Sequence, residues 1–247
     1  MTSQTSSQVP KFTRYSVLYQ ALGTIFGAAM FLLFGAALGN VGLLNMIVII
    51  VLGHLITGAV AYTTSELASN KRIGGGGEYA MIKRTHGVHI GASIGLALFV
   101  AQTISITFYS MAIGIGLTPL FQWLSQSIGL PCPEVTHIAL FFVAAVFIVN
   151  TRGGDVTVKF LIPILAVIVL TIISFFVGVL VDTGGFSLAE IDFTARIPES
   201  MTFWAAFAIV FPAFTGNTMG IGLSGELADP QTEIPWGTKL ATLLSFV

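Results

Sequence analysis

Six apolar stretches of bilayer-spanning length follow one another along this chain, near residues 19–39, 43–64, 90–118, 135–150, 158–181 and 203–223, and a seventh begins near Thr238. Each predicts a membrane helix. The chain ends at Val247, about ten residues into the seventh stretch, which is too short to cross a bilayer. On this pattern it reads as the N-terminal part of a longer protein, with a polar tail over residues 1–15 and a single transmembrane domain over 16–247, incomplete at its C-terminus.

The sixth stretch has an unusual internal pattern. Roughly twenty apolar residues from Trp204 to Leu223 suffice to cross, yet Pro212 removes a backbone N–H, and Gly216, Gly220 and Gly222 loosen the turns that follow. Thr215, Asn217 and Thr218 bring polar atoms to the same depth. Unpaired backbone in lipid costs several kcal/mol per group, so a broken helix persists only where protein covers it or it lines a cavity. Half-helices of this kind hold ions: N–H groups at a helix start face anions, and freed carbonyls face cations. A proline kink packed through small residues is the simpler alternative, and both stay open at this point.

The first stretch predicts a matching interruption. Gly23 and Gly27 are four apart, and Thr24 with the small run Gly27, Ala28 and Ala29 lets the backbone open beside a ligand. Gly35 and Gly39, also four apart, read as a close-packing face for another helix. In the third stretch Ser105 and Thr107 are expected to bond back to their own helix, whereas Tyr109 needs a partner for its hydroxyl and is a cavity candidate. His54 is a titratable group inside a span without an acidic partner in sequence; it reads as a neutral histidine bonded to a neighbouring helix rather than a proton relay. Any cation bound centrally would then be held by carbonyls and hydroxyls, an arrangement suited to co-binding an anion. Gly74 to Gly77, followed by EYAMIKR, predict a cytoplasmic hinge leading into a short helix. No Lys-Ser or Lys-Thr follows at phosphate-loop spacing.

Composition supports the membrane reading: mean hydropathy is +0.91, with 55% hydrophobic and 9% charged residues, far from the roughly one-quarter charged of soluble domains. Net charge is −1, without the basic cluster that nucleic acid or anionic lipid would require. The single cysteine, Cys132, forms no intrachain disulfide, and residues 1–15 lack a cleavable signal. Nine of the ten Lys and Arg residues fall on one side of the predicted spans: Lys11, Arg14, Lys71, Arg72, Lys83, Arg84, Arg152, Lys159 and Lys239. That side is expected to be cytoplasmic. Arg196, with Asp182, Glu190, Asp192 and Glu199, then lies in an external loop, as does LTPLFQWLSQSIGLPCPE between the third and fourth spans.

FPAFTG followed by LSGELADPQTEIPWGT resembles the sixth span and following loop of the cation-chloride cotransporters, a family within the amino acid-polyamine-organocation superfamily. GGGGEYAMIKRTHGVHIGASIGL resembles the family's first cytoplasmic loop and third span, and TIFGAAMF its first broken helix. The resemblance implies an all-α LeuT-like fold of two inverted five-helix repeats, of which this chain would supply the first repeat, the broken sixth span and the start of the seventh. It further implies potassium or sodium held by Thr24, Ile25, Tyr109, Pro212 and Thr215. One chloride would lie on the amides of Gly27, Ala28 and Ala29, and a second on those of Gly216, Asn217 and Thr218. Three positions depart from the family pattern: Thr24 stands where asparagine is usual, and Asn217 and Thr218 where apolar residues are usual. With its short polar tail, the chain resembles a compact prokaryotic-type member.

The expected activity is electroneutral cotransport of a monovalent cation with chloride by alternating access in the cell membrane, with the N-terminus cytoplasmic. An amino acid or amine permease on the same fold is the alternative, although Gly27-Ala28-Ala29 lacks the second glycine that would favour it. A non-transporting sensor or scaffold has no use for polar atoms at the break. No enzymatic constellation is legible, and no cofactor or transition-metal site is expected. The expected partners are inorganic ions or a small-molecule substrate and the lipid bilayer, with a homodimer allowed.

Overall fold

A computed structural model of the chain describes residues 12–70, 75–151, 154–182, 193–195, 197 and 201–246. The expectations resting on Lys11, Lys71, Arg72, Gly74, Arg152, Glu190, Asp192, Arg196 and Glu199 lie outside those residues. Eight α-helices are present among them: α1 Arg14–Ile25, α2 Ala28–Asn70, α3 Gly77–His86, α4 Val88–Ile128, α5 Val135–Asn150, α6 Gly154–Asp182, α7 Phe203–Val210 and α8 Pro230–Phe246. Two short 3-10 turns, Phe211–Phe214 and Met219–Leu223, stand between α7 and α8. The only strand-like feature among the described residues is an isolated bridge between Phe12 and Leu227. A helical solution is the one expected in lipid, where every backbone donor and acceptor must be satisfied within its own segment. Polar side chains follow the same rule: Thr103, Ser105 and Thr107 donate to the carbonyls of Phe99, Ala101 and Thr103 at 2.8, 2.9 and 3.3 Å.

Several boundaries differ from the sequence reading, but not the first. Spans one and two meet within α2 at a sharp kink: Gly42, with a non-helical φ of 80° and ψ of 164°, separates two helical segments where the sequence places the boundary between them. A Cβ there would lie 2.7 Å from the Phe193 carbonyl oxygen, and Ile197 N–H donates to the Gly39 carbonyl at 3.1 Å. The corner is therefore tight enough to require glycine. At Gly35 and Gly39, the expected packing face, nothing among the described residues lies within 4 Å of a Cβ built on either.

LTPLFQWLSQSI is helix, not external loop. Leu117, Leu120, Phe121, Leu124 and Ile128 recur at helical spacing and carry α4 past Pro119. The helix stops at Gly129, left-handed with φ 69°, whose N–H donates to Ser125 at 3.0 Å. At 41 residues α4 is about 60 Å long and extends beyond the ~30 Å hydrocarbon core.

The seventh helix begins at Pro230 rather than near Thr238. Asp229 caps it: the Thr232 and Glu233 amides donate to its carbonyl at 3.2 and 3.0 Å, and its own N–H donates to Glu233 Oε2 at 3.1 Å. Pro230 sits at the first helical position, where its missing N–H costs nothing.

The chain divides into two compact units. The first joins the residues up to Met81 to those from Val158 onward. In it α1, the inner part of α2, α7 and α8 enclose Val17, Ile49, Val210, Ile221 and Ile234, all essentially buried. Leu18, Ala21 and Ile25 of α1 pack on Ala241 of α8. The glycine run also reaches this unit: Gly77 lies against Gly222, and a Cβ at Gly225 would lie 2.9 Å from Gly75 Cα. The second unit, Ile82–Thr157, pairs α4 with α5, and Gly114 lets the Val135 carbonyl approach to within 2.8 Å of where a Cβ would stand. Outward-facing side chains such as Phe99 and Phe141 are about 70% exposed, the surface expected of helices solvated by lipid.

Candidate functional site

Two backbone breaks meet in the first unit. α1 ends at Ile25, where Phe26 turns out of helical geometry with φ −77° and ψ 45° and donates its N–H to Leu22 at 2.9 Å. α2 restarts at Ala28, with Met30 N–H reaching the Gly27 carbonyl at 3.2 Å. The amides of Gly27, Ala28 and Ala29 therefore occupy a helix start, where backbone donors lack intrahelical partners. The opening spans two residues, Phe26 and Gly27, and the small residues Ala28 and Ala29 follow it. Thr24 donates its hydroxyl to the Gln20 carbonyl at 2.8 Å, which leaves both oxygen lone pairs available.

The second break is wider. α7 passes into the turn Phe211–Phe214, because Pro212 cannot continue the α-helical donor ladder. Thr215 is extended, with φ −87° and ψ 166°. Its N–H and hydroxyl both donate to the Pro212 carbonyl, at 3.3 and 2.7 Å. Gly216 then takes φ 108°, a conformation open to glycine, and its carbonyl accepts from Met219 N–H at 3.1 Å. Pro212 and Thr215 are exposed, whereas Asn217 is 3% exposed. The next helical turn does not start until Met219, with Thr218 as its N-cap, so Gly216 and Asn217 lie in the non-helical segment that leads into it.

The two breaks touch at one point. A Cβ on Gly216 would lie 2.6 Å from Thr24 Cγ2 and 2.9 Å from Thr24 Cβ. The sequence-derived residues Thr24, Ile25, Gly27, Ala28, Ala29, Pro212, Thr215, Gly216, Asn217 and Thr218 all belong to this one unit. Tyr109 belongs to the second unit, half-buried on α4 with its ring edge-on to Phe108 at 5.5 Å.

Around the breaks, spans two and seven supply contacts that local sequence patterns do not announce. The Asn217 carboxamide donates to the Thr57 carbonyl of α2 at 2.9 Å and to the Thr242 hydroxyl of α8 at 3.2 Å. Phe214 fills the space over Gly53 and lies 4.9 Å from the His54 ring. His54 Nδ1 sits 3.0 Å from the Ile50 carbonyl and Nε2 3.2 Å from the Ser245 carbonyl, in accord with a histidine bonded to a neighbouring helix. Thr238 is fully buried, with no partner for its hydroxyl among the described residues. No grouping of three His, Cys, Asp or Glu residues able to hold a metal occurs among the described residues.

Hydroxyl and carbonyl oxygens end α1 and the first 3-10 turn, and backbone amides open the segments that follow, an arrangement whose dipoles can face a cation and an anion.

Residues 16–247 match the family model described as "Amino acid permease". The chain is 28% identical over 242 residues to human solute carrier family 12 member 1, covering 94% of this chain and 22% of that protein. It is 31% identical over 244 residues to mouse solute carrier family 12 member 2, covering 94% of this chain and 20% of that one. Against human solute carrier family 12 member 2 the identity is 30% over 242 residues, with coverages of 93% and 20%. The chain thus spans about a fifth of the length of the curated relatives it matches. These findings bear out the resemblance to the cation-chloride cotransporters of the amino acid-polyamine-organocation superfamily. The match runs from residue 16 to the last residue, and the chain belongs to the amino acid permease family.

Proposed function

We propose that this chain forms the ion-binding part of a secondary transporter that moves potassium or sodium together with chloride, electroneutrally, by alternating access. The observation that carries this reading is the contact between the two breaks at Thr24 and Gly216. It brings cation-favouring oxygens and anion-favouring amides into one neutral setting. Thr24, Ile25, Pro212 and Thr215 supply the oxygens, and the hydroxyls of Thr24 and Thr215 keep lone pairs free because each donates to its own helix. Chloride lies on the amides of Gly27, Ala28 and Ala29 and on those of Gly216, Asn217 and Thr218. The absence of acidic residues within these segments supports co-binding, since a carboxylate would balance the cation without chloride. The breaks in spans one and six are the corresponding positions of two inverted five-helix repeats in a LeuT-like fold. The N-terminus is cytoplasmic and the protein resides in the cell membrane, as the lysine and arginine distribution suggests. Inorganic ions and lipid are its expected partners, and no cofactor is needed.

The family match itself favours a second reading, uptake of an amino acid or amine, with carboxylate on the span-one amides and amine on the carbonyls. One experiment separates the two. Rubidium uptake into proteoliposomes holding the full-length protein is measured with external chloride or gluconate, beside a panel of labelled amino acids. Chloride-dependent rubidium entry supports cation-chloride cotransport, and amino acid uptake indifferent to chloride replaces it with the permease reading.

A further inference from the structure

Asn217 is a buried polar side chain in an apolar segment, where an unpaired polar group is costly. It does not reach back into the break. Its carboxamide is 3% exposed and spends its two N–H groups on distant elements: the Thr57 carbonyl at 2.9 Å and the Thr242 hydroxyl at 3.2 Å. Each acceptor is held in turn. Thr242 donates to the Thr238 carbonyl at 2.9 Å, and Thr57, 4% exposed, donates its hydroxyl to Gly53 at 3.1 Å. The side chain therefore joins three elements in the middle of the unit: α2, α8 and the non-helical segment between the two 3-10 turns.

That segment packs on Thr24 of α1 at Gly216 and is held across the unit by the Asn217 side chain. Thr215 is extended and Gly216 left-handed, and the backbone bonds flanking them are the short-range ones from Thr215 to Pro212 and from Met219 to Gly216. The orientation of the Gly216, Asn217 and Thr218 amides depends on what holds residue 217 from outside.

We infer that Asn217 is a positioning residue: by hydrogen-bonding Thr57 of α2 and Thr242 of α8, its side chain holds the amides of Gly216, Asn217 and Thr218 in the orientation that binds the anion. This inference rests on the chloride reading above. The tie runs to α2 and α8 and includes none of the oxygens of Thr24 and Ile25, so its loss acts on the anion more than on the cation. An apolar residue at 217 achieves the same only by packing, so here the anion site is set by two directional bonds and is open to change from spans two and seven.

The test is chloride-dependent rubidium uptake by the full-length protein in proteoliposomes, comparing wild type with Asn217→Leu, Thr242→Val and Thr242→Ser. Asn217→Leu keeps the volume and removes both donors. It is expected to raise the apparent KM for chloride about ten-fold, with the KM for rubidium at saturating chloride changed less than two-fold. Thr242→Val, an isosteric change outside the break that leaves the Thr57 bond, is expected to raise the chloride KM about three-fold, and Thr242→Ser, which keeps the hydroxyl, to leave it at the wild-type value. Combining Asn217→Leu with Thr242→Val adds little beyond Asn217→Leu alone, because both remove the same bond. An unchanged chloride KM in Asn217→Leu and Thr242→Val, or equal changes for both ions, overturns the inference while leaving cotransport intact. Wild-type uptake indifferent to chloride overturns the cotransport reading, and this inference with it.

Discussion

The two breaks solve one problem with different means. At residues 26–27 the chain opens by as little as it can: one residue leaves helical geometry, small side chains follow, and α2 resumes at once. Across residues 211–223 it opens through a proline-led 3-10 turn, an extended threonine, a left-handed glycine and a second 3-10 turn. The first opening needs no polar tie beyond Thr24 to Gln20 within its own helix. The second is bound across the unit through Asn217. A short break can be fixed by the helices that flank it, whereas a long one needs anchors from elements remote in sequence. The difference also assigns unequal freedom: the span-six segment is the one whose geometry other helices can adjust.

Breaking the contact between the two openings should have the largest effect. Gly216→Ala introduces a side chain at φ 108° and drives its Cβ to 2.6 Å from Thr24 Cγ2. Backbone strain alone costs about 1–3 kcal/mol, and the overlap adds to it, so uptake is expected to be abolished. Thr24→Ala beside it removes the Cγ2 overlap but keeps the strain and the Cβ contact and loses a proposed cation ligand, and is expected to restore less than about a tenth of the activity. Full recovery in that double variant would show that the conformation of Gly216 is immaterial.

Next in size is Gly53→Ala, whose Cβ runs into the Phe214 ring just before the long break. Overpacking of this kind costs about 1–3 kcal/mol, measurable as a lower unfolding temperature in detergent. Phe214→Leu in the same chain is expected to recover most of it. A stable Gly53→Ala would mean that Phe214 does not hold the break against α2.

A smaller, more selective effect is expected from Thr215→Ala, which removes a hydroxyl from the long break. The apparent KM for rubidium should rise about ten-fold, or roughly 1.4 kcal/mol, with stability nearly unchanged because Thr215 is exposed. Wild-type uptake in this variant would remove that hydroxyl from the account. The least change is expected from Thr24→Val: its hydroxyl bonds back to Gln20, a bond that contributes little to helix stability, so the unfolding temperature should move by no more than a degree or two while the rubidium KM rises.

Much of this organisation was legible in the chain. Glycines, a proline and small residues mark both breaks, because they ease the departure from helical geometry that Phe26 and Thr215 make beside them. The cap of α8 was also present in writing: Asp229, Pro230 and Glu233 form a helix-start signal that hydrophobicity alone overlooks, since the first turns of α8 are polar. The extension of α4 to Ile128 was masked by Pro119, although the apolar spacing beyond it is helical. The boundary between spans one and two was legible at Gly42, but the segment near Phe193 packed against that corner was not. The role of Asn217 was out of reach, because its partner Thr57 lies 160 residues away and offers a backbone carbonyl, an acceptor every residue has. Contacts made by backbone atoms leave no trace in residue type.

The central claim is that cation and chloride occupy one neutral site and stabilise each other there. Equilibrium binding of radiolabelled chloride to the purified full-length protein, titrated with potassium, tests it most directly. The account predicts that potassium raises the affinity for chloride at least about five-fold, and that Thr215→Ala abolishes the enhancement. Chloride affinity that does not respond to potassium or sodium would contradict it.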